Sequence, residues 1–167
     1  MEHLFQSVLR SQYSAALRML EQAIRQCPAE LWDDDHYGNR FWHISYHVLF
    51  YTHLYLAPTE QDFVPWEQGR ENQQFLGPLL WPPHTPPDLS NPYTPEAVLE
   101  YLALVEQQVG PRLQAEKFDV ESGFYWLSFN RAELHLYNLR HLQHHTGQLI
   151  ERLRKATGQG VDWVGKG

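Results

Sequence analysis

Apolar positions recur at helical spacing in four stretches of the chain. Between residues 3 and 26, Leu4, Val8, Tyr13, Leu17, Leu20 and Ile24 recur near the period of an α-helix. They predict a first helix that ends at Cys27-Pro28, because a residue before proline is biased away from the α region. Residues 39–56, NRFWHISYHVLFYTHLYL, predict a second helix. Its polar side carries Ser45, Thr52 and His53, and His43, Ile44, His47, Tyr51 and Leu54 lie opposite. Thr94-Pro95-Glu96 opens a third helix, with threonine as cap, proline in the first position and an acid facing the helix dipole. It is expected to reach about Lys117 with Val98, Leu102, Val105 and Val109 inward, and Gly110-Pro111 predicts a kink or break. The fourth pattern is the longest, ELHLYNLRHLQHHTGQLIERL from Glu133 to Leu153. Leu136, Leu139, Leu142, Leu149, Ile150 and Leu153 gather on one face, and Glu133, Arg140, His144 and Glu151 gather on the other. Asn130 and Glu133 have the spacing of a capping pair, and Gly158 predicts the stop.

The stretches between these helices differ in kind. Residues 57–94 hold Trp66, Trp81 and most of a run of prolines from Pro78 to Pro95. Proline removes backbone donors and fixes φ, so no long helix is expected there, at most one short helical turn within 57–77. Two tryptophans need burial, which favours an ordered connection packed along the helices, with a lid over a site as the alternative. Residues 118–129 are an aromatic connector, and Trp163 in the tail is expected to dock back on the helices. The fold class that follows is all-α: a four-helix bundle, one domain over residues 1–167, with a long proline-rich crossover between the second and third helices.

Three of the ten histidines crowd into positions 141–145 of the fourth helix. His141 and His145 stand one turn apart on the flank of the apolar stripe, where their Cβ atoms lie roughly 5–6 Å from each other. Both can then reach one metal ion, or they can form a hydrogen-bonded polar seam at a helix–helix groove. His47 points into the aromatic face of the second helix, where each ring nitrogen needs a partner. The candidate site is therefore His47, His141 and His145, and His43, one turn before His47, is the rival ligand. Asn138, Tyr51 and Gln148 share these faces and are candidate supports. Three imidazoles suit one divalent transition ion, such as Zn, Ni, Fe or Co, with a position left open. His53 is expected to be solvent-exposed or at an edge, and His3, His36, His84 and His135 have no partner that the sequence identifies. The run Asp33-Asp34-Asp35 reads as a solvated approach to the second helix, with a cation site as the alternative. Glu-x-x-His, His-Glu-x-x-His, a phosphate-binding glycine loop and Gly-x-Ser-x-Gly are all absent from the sequence.

Composition narrows the partners. With 43% hydrophobic and 14% aromatic residues, the 167-residue chain can bury a core. A net charge of −7 without a basic run argues against nucleic acid or an anionic membrane as partner. Cys27 is the single cysteine, so no internal disulfide can form and a reducing, cytoplasmic location is expected. The N-terminal residues lack the basic-then-apolar pattern of a signal peptide, and the second helix is too short and too polar to span a bilayer.

Two stretches, WHISYHVLFYTHLYL (42–56) and ELHLYNLRHLQHHTGQL (133–149), resemble the DinB-like superfamily of metal-binding four-helix bundles. The second carries the family's His-x-x-x-His followed by a small residue, glycine and glutamine. The resemblance implies a metal triad of one histidine from the second helix and two from the last, here His47, His141 and His145. It also implies a range of activities: transfer of a low-molecular-weight thiol to an electrophilic small molecule, thiol-dependent isomerisation, or none. A metal-dependent thiol S-transferase, a metal-dependent hydrolase, and a non-catalytic, metal-stabilised stress-response or homodimeric bundle are the expectations carried forward. Three satisfied groove histidines with no metal are the plain alternative.

Overall fold

The computed structural model of the protein describes residues 2–167. Those residues are all-helical, with no strand among them and one isolated β-bridge between Glu121 and Asn130. The helices are α1 (Glu2–Gln26), α2 (Ala29–Trp32), α3 (Phe41–Leu56), α4 (Pro95–Ala115) and α5 (Arg131–Thr157). The four expected helices are α1, α3, α4 and α5. The short α2 was not expected; it tucks Leu31 and Trp32 into the core. The long helices α1 and α3 each pack on both α4 and α5.

Local chemistry fixes the helix ends. The Asn130 side chain accepts from the Glu133 N–H at 2.9 Å, and Thr94 accepts from the Ala97 N–H at 3.2 Å. Gly158 closes α5 in the left-handed region at φ 75°. The kink expected at Gly110-Pro111 is absent, and α4 runs unbroken through Pro111. Proline there forfeits only the bond to the Gln107 carbonyl, while Val109 and Leu113 are buried on either side and hold the last turns in place.

The buried faces differ from the expected ones in three places. In α1, Leu4 and Val8 are exposed, and Leu9, Tyr13, Ala16, Leu17, Leu20 and Ile24 form the stripe. The step of five from Val8 to Tyr13 falls outside helical register, and Leu9 supplies the proper one. In α5, Leu136 is exposed, because its turn is rotated to bury Leu134, His135 and Asn138. In α3 there is almost no polar side: Ser45 and Thr52 are buried, and their hydroxyls donate to the Phe41 and Val48 carbonyls at 2.9 and 2.7 Å. His53 is half-buried beside the Tyr101 hydroxyl at 3.3 Å and is not fully solvent-exposed.

Residues 57–94 contain no helix; within 57–77 there are isolated turns, such as the Gly69 N–H donating to the Trp66 carbonyl at 2.8 Å, and the segment is tied to the core. Trp66 is buried and stacks on Tyr101 with ring centroids 4.6 Å apart. The Trp32 indole donates to the Tyr93 carbonyl at 2.8 Å. Trp81 is half exposed and stands edge-on to Phe75. Trp163 is 80% exposed and does not dock as expected; the tail is held instead by the Asp162 N–H donating to Gln22 at 2.9 Å.

One buried polar network ties three segments together. The Arg131 guanidinium donates to both Glu116 carboxylate oxygens at 2.9 and 2.6 Å. It also donates to the Ala57 and Ser122 carbonyls at 2.9 and 2.8 Å. His135, expected to lack a partner, lies between Glu116 and the Tyr13 hydroxyl, 3.1 Å from each. Among the described residues no helix is long and apolar enough to cross a membrane.

Candidate metal centre

The site forms where α3 packs on α5. This pairing brings His47 against His141 and His145, whose ligand nitrogens all lie within 4.8 Å of one another. The Nε2 atoms of His47 and His141 are 3.1 Å apart, and the His145 ring stands edge-on to both. His145 is buried, and His47 and His141 are partly so.

Hydrogen bonds to the outer nitrogens fix two of the rings. The His47 Nδ1–H donates to the Gln74 carbonyl at 2.6 Å, and the His145 Nδ1–H donates to the Gln148 side-chain oxygen at 2.8 Å. A carbonyl can only accept, so each of these rings carries its proton on Nδ1 and presents an Nε2 lone pair inward. Such an outer-nitrogen bond is how metal-ligating histidines are commonly held. His141 differs: its Nδ1 is buried without a partner.

The arrangement suits a cation. Ligand bonds of about 2.0–2.1 Å, at angles from octahedral to tetrahedral, place neighbouring nitrogens about 2.9–3.4 Å apart. The observed 3.1 Å falls inside that range. Electrostatics agree. Burial pulls His47 down to about 3, with the neighbouring His145 and His141 adding to the effect against an opposing bond to Gln74. Burial, reinforced by His145 and His144, pulls His141 down to about 4. His145 is also lowered by burial. All three are neutral at neutral pH, so no proton competes for the lone pairs. Three neutral imidazoles can therefore hold a metal ion.

His43 does not join them. It is fully buried, and its Nε2–H donates to the Gln73 carbonyl at 2.9 Å. Of the proposed supports, Gln148 bonds His145 as described, and the Tyr51 ring stands against His47 and His141 at 4.9 and 5.6 Å. Asn138 instead donates to the Thr52 carbonyl at 3.1 Å and touches no ligand nitrogen. The Gln74 carbonyl was not foreseen, since a backbone group leaves no mark in residue identity.

Two other groups differ from this centre. Asp34, Asp35 and His36 form an exposed group, and the His36 ring bonds Asp34 at 2.7 Å. Burial, with a smaller push from Glu30, raises the Cys27 thiol to about 12, which leaves little thiolate at neutral pH.

A cavity of about 640 Å³ adjoins the centre, with His47, His141, Tyr51 and Trp81 among its lining residues. No protein-family model, no curated protein and no solved structure matches the chain.

Proposed function

We propose that His47, His141 and His145 hold one divalent transition ion, Zn, Ni or Fe, in a DinB-like four-helix bundle whose residues 57–94 form the crossover. On this reading the protein is a metal-dependent thiol S-transferase that joins a low-molecular-weight thiol to an electrophile. The observation that carries the reading is the convergence of the three rings, with the inward Nε2 pair at 3.1 Å. A bound ion lowers the pKa of a thiol and so supplies a thiolate nucleophile near neutral pH. The chain's own part is to fix the rings: Gln74 and Gln148 hold two of them in the ligating tautomer, and the Tyr51 ring bounds one side. The adjoining cavity favours catalysis over a purely structural ion, since it leaves room for a substrate beside the histidines.

Paired variants test the ligand set. His47→Ala should lose the bound ion and, with it, the metal-dependent consumption of a thiol in the presence of an alkyl electrophile. His43→Gln should retain both, because His43 is committed to the Gln73 carbonyl. Retention of the ion by His47→Ala together with its loss from His43→Gln would reverse the assignment.

A further inference from the structure

We propose that the cavity beside the three histidines is a pocket for an uncharged, lipophilic organic molecule with an aromatic or similarly broad apolar body, and that it disfavours anions. This deepens the reading above and rests on it for calling the pocket a substrate site. The inner wall is aromatic: Phe50, Tyr51 and Tyr55 come from α3 and Tyr137 from α5, with His47 and His141 at one end. The mouth is built by the two irregular segments, from Leu80 and Trp81 on one side and Tyr125 and Trp126 on the other. All four are exposed, Leu80 at 83% and Tyr125 at 91%. Single exposed apolar residues are ordinary, but a group gathered around one concavity marks a place where apolar surface is covered. The volume of about 640 Å³ lies within the roughly 300–1,000 Å³ of pockets for small organic ligands.

Charge narrows the class. Glu60 is the only carboxylate among the lining residues, and no lysine or arginine lines the cavity among those described. Arg140 is engaged over the Tyr137 ring, 5.4 Å from its centroid, and is not part of the lining. An anionic body would lose its hydration against aromatic walls, find no lysine or arginine in the lining and meet Glu60, while the ion at the histidine end is taken up by the thiol of the reading above. A cationic body would meet an ion held by the histidines. A neutral body suffers neither penalty, and flat aromatic walls favour stacking or edge contact with a ring.

The test compares two probes with the same ring, 2-naphthol and 2-naphthalenesulfonate, titrated into the full-length protein at pH 7 by calorimetry. The expected result is that naphthol binds at least about tenfold more tightly. Trp81→Ala, at a half-exposed loop position, should weaken naphthol about tenfold while the circular dichroism and metal content stay unchanged. Glu60→Lys should narrow the gap by strengthening the sulfonate. Equal or tighter binding of the sulfonate by the wild type, no binding of naphthol, or an unchanged naphthol affinity in Trp81→Ala would overturn the proposal. Metal content, measured on the same samples, reports the histidine centre independently. Metal-free protein that still prefers naphthol would sink the metal reading alone, and metal-bearing protein that prefers the sulfonate would sink the pocket assignment alone.

Discussion

Replacing Arg131 by alanine is expected to destabilise the protein by about 3–5 kcal/mol, the range for removing one partner of a buried ion pair. Its side chain is 2% exposed, and Glu116 beside it is 10% exposed. Removing the guanidinium leaves the largely buried Glu116 carboxylate with His135 as its remaining partner, and strips donors from the Ala57 and Ser122 carbonyls. Each orphaned acceptor adds to the cost. The three acceptors belong to the end of α3, the end of α4 and the connector before α5, so one side chain pins three chain segments. Urea unfolding followed by circular dichroism measures the loss. Arg131→Lys should recover only part of it, since an ammonium cannot serve both carboxylate oxygens and two carbonyls in one plane. A loss below about 1 kcal/mol in Arg131→Ala would mean the network contributes little.

Acid is expected to unfold the metal-free protein well before most carboxylates are protonated. Burial lowers His47 to about 3, and His53 and His141 to about 4; it also lowers His43, His135 and His145. In the unfolded chain these rings titrate near 6.5. Below that pH the unfolded state binds protons that the folded state refuses, so stability falls as pH falls, down to the folded-state values. Each such ring contributes a slope on the order of 1.4 kcal/mol per pH unit between the two values. Glu116 acts in the same direction at lower pH: burial alone would raise its carboxyl, but hydrogen bonds from His135 and Arg131 outweigh that and hold it below its ordinary value. His36, raised by Asp34, has the opposite sign and lies at the exposed surface. The midpoint of thermal unfolding of chelator-treated protein should therefore drop steeply between pH 6.5 and 4. A flat profile across that window would contradict the burial of these histidines.

Much of this was legible in the sequence, for reasons that particular residues make plain. The four long helices could be read because apolar residues recur at helical spacing, and for α4 and α5 the caps are chemically explicit as well: Thr94-Pro95, Asn130 with Glu133, and Gly158. The grouping of His141 with His145 follows from helical spacing alone. His47 could be placed on a face, but choosing it over His43 required the positions of the Gln73 and Gln74 carbonyls. Those belong to a segment without periodicity, whose path the sequence does not encode in any local pattern. The Arg131–Glu116–His135 network was invisible for a related reason. Arg131 and His135 stand one turn apart on α5, but Glu116 lies 15 and 19 residues earlier at the end of another helix, and arginine and glutamate are usually exposed, so only tertiary packing reveals that the three satisfy one another. The exposed Leu136 and Trp163 are the reverse case, apolar residues that the packing leaves in solvent.

The most direct test of the central claim is the metal content of the full-length protein, prepared without a histidine tag or chelator, beside His141→Ala. The account predicts about one equivalent of a transition ion per chain in the wild type and its loss in the variant. Wild-type protein that stays metal-free after incubation with zinc or nickel, or a variant that keeps its ion, would contradict it.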